Sequence, residues 1–288
     1  MSESDRRALV AVIAASLIGA GMAWAGSQGG YSVAGIGIFA IAVVGAFVVQ
    51  WIVFVPSFWA RTERFFDLTG SLTFIGMTAV IVILTPMMDA RGWMLAAMVV
   101  VWAARLGAFL FSRVRRSGGD DRFDELKESF LRFGQVWTLQ GLWVTMTAGA
   151  AWIAITAQHR VGIDAFAVIG LIVWLIGLGF EVVADLQKSG FKADPANAGR
   201  FIDTGVWSWS RHPNYFGEIL LWIGVAIVTL PVLQGWQWVA LASPVFVTAL
   251  ITKVSGIPLL EAKADAKWGG QPDYEAYKAK TSVLIPRP

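Results

Sequence analysis

The chain has 288 residues, 56% of them hydrophobic, 15% charged and 15 of them Trp, with a formal net charge of +3. A soluble domain carries about a quarter charged residues, so this is the composition of a membrane protein. With no Cys and two His, His159 and His212, the chain cannot build disulfides, thiolate metal sites or multi-histidine iron centres; no metal is expected, and redox chemistry would need an organic cofactor.

Crossing about 30 Å of hydrocarbon takes about 20 apolar residues in a helix. In chain order, eight stretches qualify: Ala8–Trp24, Val33–Val55, Gly70–Met88, Trp93–Phe111, Trp137–Ala157, Ala165–Val183, Tyr215–Leu233 and Trp236–Ile251. The last two are joined by a tight Pro231–Trp236 turn and could form a hairpin that does not fully cross, so the count is seven to eight. The fold class expected is an all-α polytopic integral membrane helical bundle. The charged residues before Ala8 imitate a signal peptide, but the next span follows at once, so the first is read as a retained helix.

With the N-terminus inside, 20 of the 23 Lys and Arg residues fall on the cytoplasmic side, as basic residues do in short loops. Both termini are therefore expected to be cytoplasmic, and so is the active face of a protein of the cell or inner membrane. Basic residues used in this way give no reason to expect nucleic acid. The chain reads as one membrane domain over residues 1–288. It comprises a four-span half (1–112), a basic cytoplasmic loop (113–136), and a C-terminal half (137–288) whose tail covers 253–288.

Ionisable residues inside or beside spans are costly and mark candidate sites. Glu63 and Asp67 flank Arg64-Phe-Phe just before the third span, placed to polarise a substrate at the membrane surface or to cap a helix. Arg105 lies mid-helix in the fourth span, where a guanidinium can clamp a phosphate or pair with a neighbouring helix. Glu181 and Asp185 share a helix face by i, i+4 spacing at the end of the sixth span, and two adjacent acids need cationic or hydrogen-bonding partners. Lys188 and Lys192 follow on the same stretch. The densest segment is Asp203-Thr-Gly-Val-Trp-Ser-Trp-Ser210-Arg211-His212-Pro213-Asn214-Tyr215-Phe216-Gly217-Glu218, which runs into the seventh span. A helix start with Pro in its first turn favours anions, so Arg211 and His212 offer a diphosphate seat, and Asn214 and Glu218 enter the membrane on one face.

Arg211-His-Pro-Asn-Tyr-Phe-Gly-Glu218 at the start of a late span resembles the C-terminal domain of steroid 5α-reductases, the sterol C14 reductases, and above all the DUF1295 branch of that superfamily. The resemblance extends over Phe66-Asp-Leu-Thr-Gly-Ser71, Gly119-Asp-Asp-Arg-Phe-Asp124, Ser189-Gly-Phe-Lys192, Ser255-Gly-Ile-Pro-Leu-Leu-Glu261 and the tail from Tyr274 to Pro286. It implies a multi-helix reductase in which NADPH enters from the cytoplasm and a polarised C=C bond of a lipid-like substrate is reduced. Asn214 and Glu218 match the family's Asn-x-x-Gly-Glu cofactor element, Asp185 its Asn-x-x-x-Asp helix with Glu181 in place of Asn, and Arg105 its Tyr-x-x-Arg element with Trp102 in place of Tyr. The family's late Arg, His and Tyr cofactor contacts have no match after the eighth span, where Lys253 and Glu261 are the nearest polar residues. On this reading Arg105, Lys188, Lys192, Arg211 and His212 hold phosphates, while Glu181, Asp185, Asn214 and Glu218 hold ribose and nicotinamide. Tyr215, Glu63 or Asp67 would be catalytic. The same motif also resembles isoprenylcysteine carboxyl and phospholipid methyltransferases, which makes S-adenosylmethionine the alternative cofactor; lipid binding or transport without catalysis is a third reading.

Overall fold

A computed structural model of the chain describes residues 1–117 and 123–288, without the side chains of 111–117. The side chains of Arg113, Arg115 and Arg116, together with Arg122 and most of the Gly119–Asp124 motif, thus fall outside what is described. Among those described, eight helical segments are long and apolar enough to cross a membrane, and the protein is an all-α polytopic membrane protein. The first seven segments contain α1 (Glu3–Ser27), α2 (Ile38–Trp59), α3 (Phe66–Leu84), α4 (Ala90–Ser117), α5 (Phe130–Thr156), α6 (Ala165–Ala193) and α7 (Pro213–Thr229).

Several boundaries differ from the sequence reading, α6 running on past Val183 to Ala193 and α4 past Phe111 to Ser117. Val33 begins no helix, because Ser32–Val33 pairs antiparallel with Ile36–Gly37 around Ala34 and Gly35, both at positive φ. The fifth helix starts at Phe130 instead of Trp137, where the Ser129 hydroxyl accepts from the Arg132 amide. The eighth segment is not one α-helix. It opens as a 3-10 turn (Gly235–Leu241), continues as α8 (Ala242–Ala249), loosens into a π-helical turn (Leu250–Val254), and passes Gly256 into α9 (Ile257–Trp268), followed by α10 (Pro272–Lys280).

The chain divides into two compact units. The first is Met1–Ala167 with Val228–Ser243. Its central shaft is α5, 89% buried over its apolar window against 28% for α1, although α5 is the least apolar of the eight segments. A helix surrounded by protein can carry hydroxyls and amides that lipid would not tolerate. Accordingly, Trp152 of α5 donates to the Thr78 hydroxyl at 2.9 Å, Gln140 to the Phe66 carbonyl at 3.0 Å, and Ser243 to the Thr147 carbonyl at 2.6 Å. At the far end Arg91, 1% exposed, donates to the carbonyls of Val161, Gly162 and Val228 and pairs with Asp164 at 2.6 Å. Asp164 also caps α6 through the Ala167 amide, so one guanidinium ties three segments together.

The second unit is Val168–Ile227 with Pro244–Pro288. Its basis is the crossing of α6 and α7, where glycines bring the two backbones into contact. A Cβ at Gly177 would lie 2.5 Å from the Leu221 nitrogen, one at Gly217 2.5 Å from the Gly177 carbonyl, and one at Gly224 2.6 Å from the Trp174 nitrogen. No side chain fits at these three positions. The tail then folds back on the segment before α7: the Arg211 amide donates to the Ser282 carbonyl, the Arg287 amide to the Trp209 carbonyl, and the Tyr277 hydroxyl to the Trp207 carbonyl at 2.7 Å.

Gly217→Val is therefore expected to lower thermal stability in detergent sharply, overpacking costing about 1–3 kcal/mol or more. Gly190→Ala, with no atom within 4 Å of its added Cβ, should leave the melting curve unchanged or raised; equal melting of both variants would refute the crossing.

Candidate functional site

Between the end of α6, the segment before α7 and the returning tail lies a cavity of about 300 Å³. Its wall has one dominant electrostatic character: six Lys and Arg (Lys188, Lys192, Arg200, Arg211, Lys263, Lys267) with His212, against the single carboxylate Glu261 among the described lining residues. Six aromatic rings alternate with them: Phe191, Phe201, Trp207, Trp268, Tyr274 and Tyr277. Cations and flat rings together are the lining for an anion that also carries a ring.

Each part is held by a specific contact. Trp207 sits in a 3-10 turn (Gly205–Ser208) whose start needs Gly205 at φ 62; its indole donates to the Ala184 carbonyl at 3.0 Å, and the Lys188 ammonium lies 4.4 Å above its ring. Phe201 packs edge-on against Trp268 and Tyr274. Tyr274 donates to Asp265 at 3.0 Å, and Asp265 also accepts from Lys278 at 2.6 Å. Burial, with the Asp265 hydrogen bond second, pushes the Tyr274 phenol well above its usual range, and burial does the same for Tyr277. Both stay neutral and serve as walls and donors. Arg211 and His212 converge on Glu261, at 2.8 Å and 2.7 Å, and the His212 ring stacks on Tyr215.

Of the residues singled out in the sequence, Lys188, Lys192, Arg211 and His212 come together in this cavity. Glu181 and Asp185 are buried on α6, 3% and 7% exposed, and the Asn214 amide donates to Asp185 at 3.3 Å while its own carbonyl oxygen is buried without a partner. Glu218 follows one turn later on α7. Glu63, Asp67 and Arg105 belong to the first unit. There Glu63 pairs with Lys127 at 2.7 Å, and Glu63 with Asp124 holds that ammonium above its usual range. Asp67 lies in the first turn of α3, and the Arg105 guanidinium is 5.6 Å from the Phe109 ring.

Lys253 is exposed on the π-helical turn and lines no part of the cavity, whereas Glu261, its neighbour in the sequence reading, does. Arg200, Lys263, Lys267, Trp268, Tyr274 and Tyr277 were not singled out. The i, i+4 spacing of Lys263 and Lys267 beside Trp268 was the available signal.

A helical membrane protein with a cationic, ring-lined cavity beside a buried acid–amide pair is the class these observations define. The chain belongs to the family described as "Protein of unknown function (DUF1295)", whose profile matches residues 53–281. A stretch of 117 residues is 28% identical to a steroid 5-alpha-reductase of Gossypium hirsutum, covering 41% of this chain and 40% of that protein. Another of 66 residues is 32% identical to a probable O-methyltransferase of Ustilaginoidea virens, 23% of each. The chain thus spans less than half the length of the curated relatives it matches. No solved structure matches it.

Asn214→Asp should place a second carboxylate against Asp185 and destabilise the folded protein by about 1–3 kcal/mol, more than Asn214→Ala does. Melting curves of the two variants check this, and an Asn214→Asp variant as stable as the parent would sink the acid–amide assignment.

Proposed function

We propose that this protein is a membrane-embedded NADPH-dependent reductase that transfers hydride to an activated, enone-like C=C bond of a steroid-like, isoprenoid or other lipid substrate. The observation that carries the reading is the charge of the cavity: six Lys and Arg and one carboxylate around about 300 Å³. NADPH bears a diphosphate and a 2′-phosphate on a scaffold with a heteroaromatic adenine and a flat dihydronicotinamide ring, so cations and aromatic walls answer both of its features.

The residues of the second unit divide the work. Lys188, Lys192, Arg211 and His212 would hold phosphates, and the neutral phenols of Tyr274 and Tyr277 would exclude water beside a ring. Asp185, Glu181, Asn214 and Glu218 would take ribose hydroxyls and the nicotinamide amide; the unpartnered carbonyl oxygen of Asn214 is an acceptor suited to an amide N–H. When bound, NADPH supplies the hydride. Reduction of an enone further requires a donor at the carbonyl oxygen and a proton at the α-carbon; Tyr215, whose ring is held flat against His212, is our candidate for delivering a proton from its hydroxyl. Glu63, Asp67 and Arg105 are the first-unit candidates, carried by the sequence reading alone. The proposed setting is a cell or inner membrane with the cavity on the cytoplasmic side, in line with the distribution of Lys and Arg.

The similarity to a probable O-methyltransferase supports a second reading, with S-adenosylmethionine and a lipid or prenylated substrate. That cofactor carries a sulfonium and no phosphate, and a wall so rich in cations repels it. Thermal-shift measurement in mild detergent with NADPH, NADH and S-adenosylmethionine decides between them, because a ligand of the native state raises the melting temperature by mass action. Stabilisation by the nicotinamide nucleotides alone is expected, weakened by salt and lost in Asn214→Ala and Glu218→Ala proteins that remain folded. Stabilisation by S-adenosylmethionine alone would overturn the reading.

A further inference from the structure

The Glu261 carboxylate lies inside a wall of cations, and its two oxygens are used separately: Oε2 accepts from the Arg211 guanidinium at 2.8 Å and Oε1 meets His212 Nε2 at 2.7 Å. This two-oxygen, two-donor arrangement is the one a phosphate adopts on the same groups. Arg211 Nε is buried and has no partner, so the guanidinium keeps a donor that Glu261 does not satisfy. Glu261 is carried by α9, which begins just after the π-helical turn and Gly256. Trp268 at the far end of α9 is tied to the Gly199 carbonyl at 2.6 Å.

We propose that Glu261 is an internal counter-anion. It holds the Arg211–His212 seat in the ligand-free protein and yields it to a phosphate of the incoming ligand. The inference rests on the reading of this cavity as a nucleotide-phosphate site. Its physical basis is that like charges around a cavity repel, so the empty wall needs an anion of its own, and any anion placed there must be displaced before phosphate takes its donors. Glu261 therefore stabilises the empty protein and weakens ligand binding by the same interaction. In a reductase that arrangement lets the spent nucleotide leave after each turnover, because the carboxylate competes for the seat again.

The test is the full-length Glu261→Gln protein in detergent, compared with the parent for melting temperature and for affinity toward inorganic pyrophosphate and NADPH. The expected result has opposite signs in the two readouts. The variant melts lower without ligand, binds both probes about tenfold more tightly, releases NADPH more slowly, and loses its stability deficit at saturating ligand. A carboxylate that merely braced the fold would lower stability with and without ligand and weaken binding, which would overturn the proposal. Glu261→Asp keeps the charge but cannot reach both partners; it should fall between the two proteins, and it carries the test if Glu261→Gln does not fold. Tighter pyrophosphate binding without any NADPH binding would leave the counter-anion standing and remove the nucleotide reading. NADPH binding unchanged or weakened by Glu261→Gln would do the reverse, and failure of pyrophosphate to bind either protein would also sink it.

Discussion

The contact between the backbones of α6 and α7 is the constraint on which the candidate site depends. Helices inside a bilayer gain little from hiding apolar surface from one another, since lipid is equally apolar, and they associate through close packing at small residues. Gly177 on α6 and Gly217 and Gly224 on α7 leave room for backbone alone. Gly217 and Gly224 are two helical turns apart, so α7 meets α6 twice and its rotation is fixed. One consequence is chemical: the Cβ that Gly217 lacks would lie 2.6 Å from the Glu181 nitrogen. The helix carrying Glu181 and Asp185 is thereby pressed against the turn carrying Asn214 and Glu218, and the Asn214–Asp185 hydrogen bond follows from this approach.

Both units use buried polar groups to hold segments together, and both also keep buried polar atoms without partners. In the first, hydroxyls, amides and the Arg91 guanidinium are spent on holding segments together: Gln50 on Thr73 at 2.8 Å, Trp152 on Thr78, Arg91 on three carbonyls and Asp164. Such interhelical bonds are worth only about 0.6 kcal/mol each on average, but they fix registers that apolar packing leaves loose. In the second, the buried polar atoms without partners include two at the candidate site. The Asn214 carbonyl oxygen and Arg211 Nε are buried without partners, and the cavity wall carries far more positive than negative charge. Unsatisfied donors and acceptors are uncommon in folded proteins, and for these two the proposed partner is the ligand.

The spans were legible because a run of about 20 apolar residues has few other meanings, and the Arg211–Glu218 segment because a polar cluster entering such a run is costly. The rank of the spans was less visible. Thr138, Thr145, Thr147 and Gln140 on α5 are a signature of a helix shielded from lipid, yet they read as minor blemishes in an apolar stretch. The end of the eighth segment was obscured because Gly256 and the π-helical turn redirect the chain within a continuous apolar pattern. The tail was illegible for a different reason. Lys263, Lys267, Trp268, Tyr274 and Tyr277 form no apolar stripe, and their local spacing marks an ordinary solvated helix pair. They become a cavity wall only when main-chain bonds from Ser282 and Arg287 return the tail to Arg211 and Trp209, and pairing across some 70 residues has no local sequence signature.

The order of groups along α7 gives the site its polarity. Arg211 and His212 precede the helix and face the cavity, Asn214 and Glu218 follow within two turns, and Gly217 between them is locked against α6. Within eight residues the chain passes from cations, suited to phosphate, to an amide and a carboxylate, suited to hydroxyls and amide N–H groups. A ligand matched to this sequence of groups carries its negative charge at one end and neutral hydrogen-bonding groups at the other. Under the proposed reductase reading that ligand is NADPH. The acid–amide pair is set by α6 and α7 and the cations by the segment just before α7, so the tail that carries Glu261 contributes to the phosphate end alone.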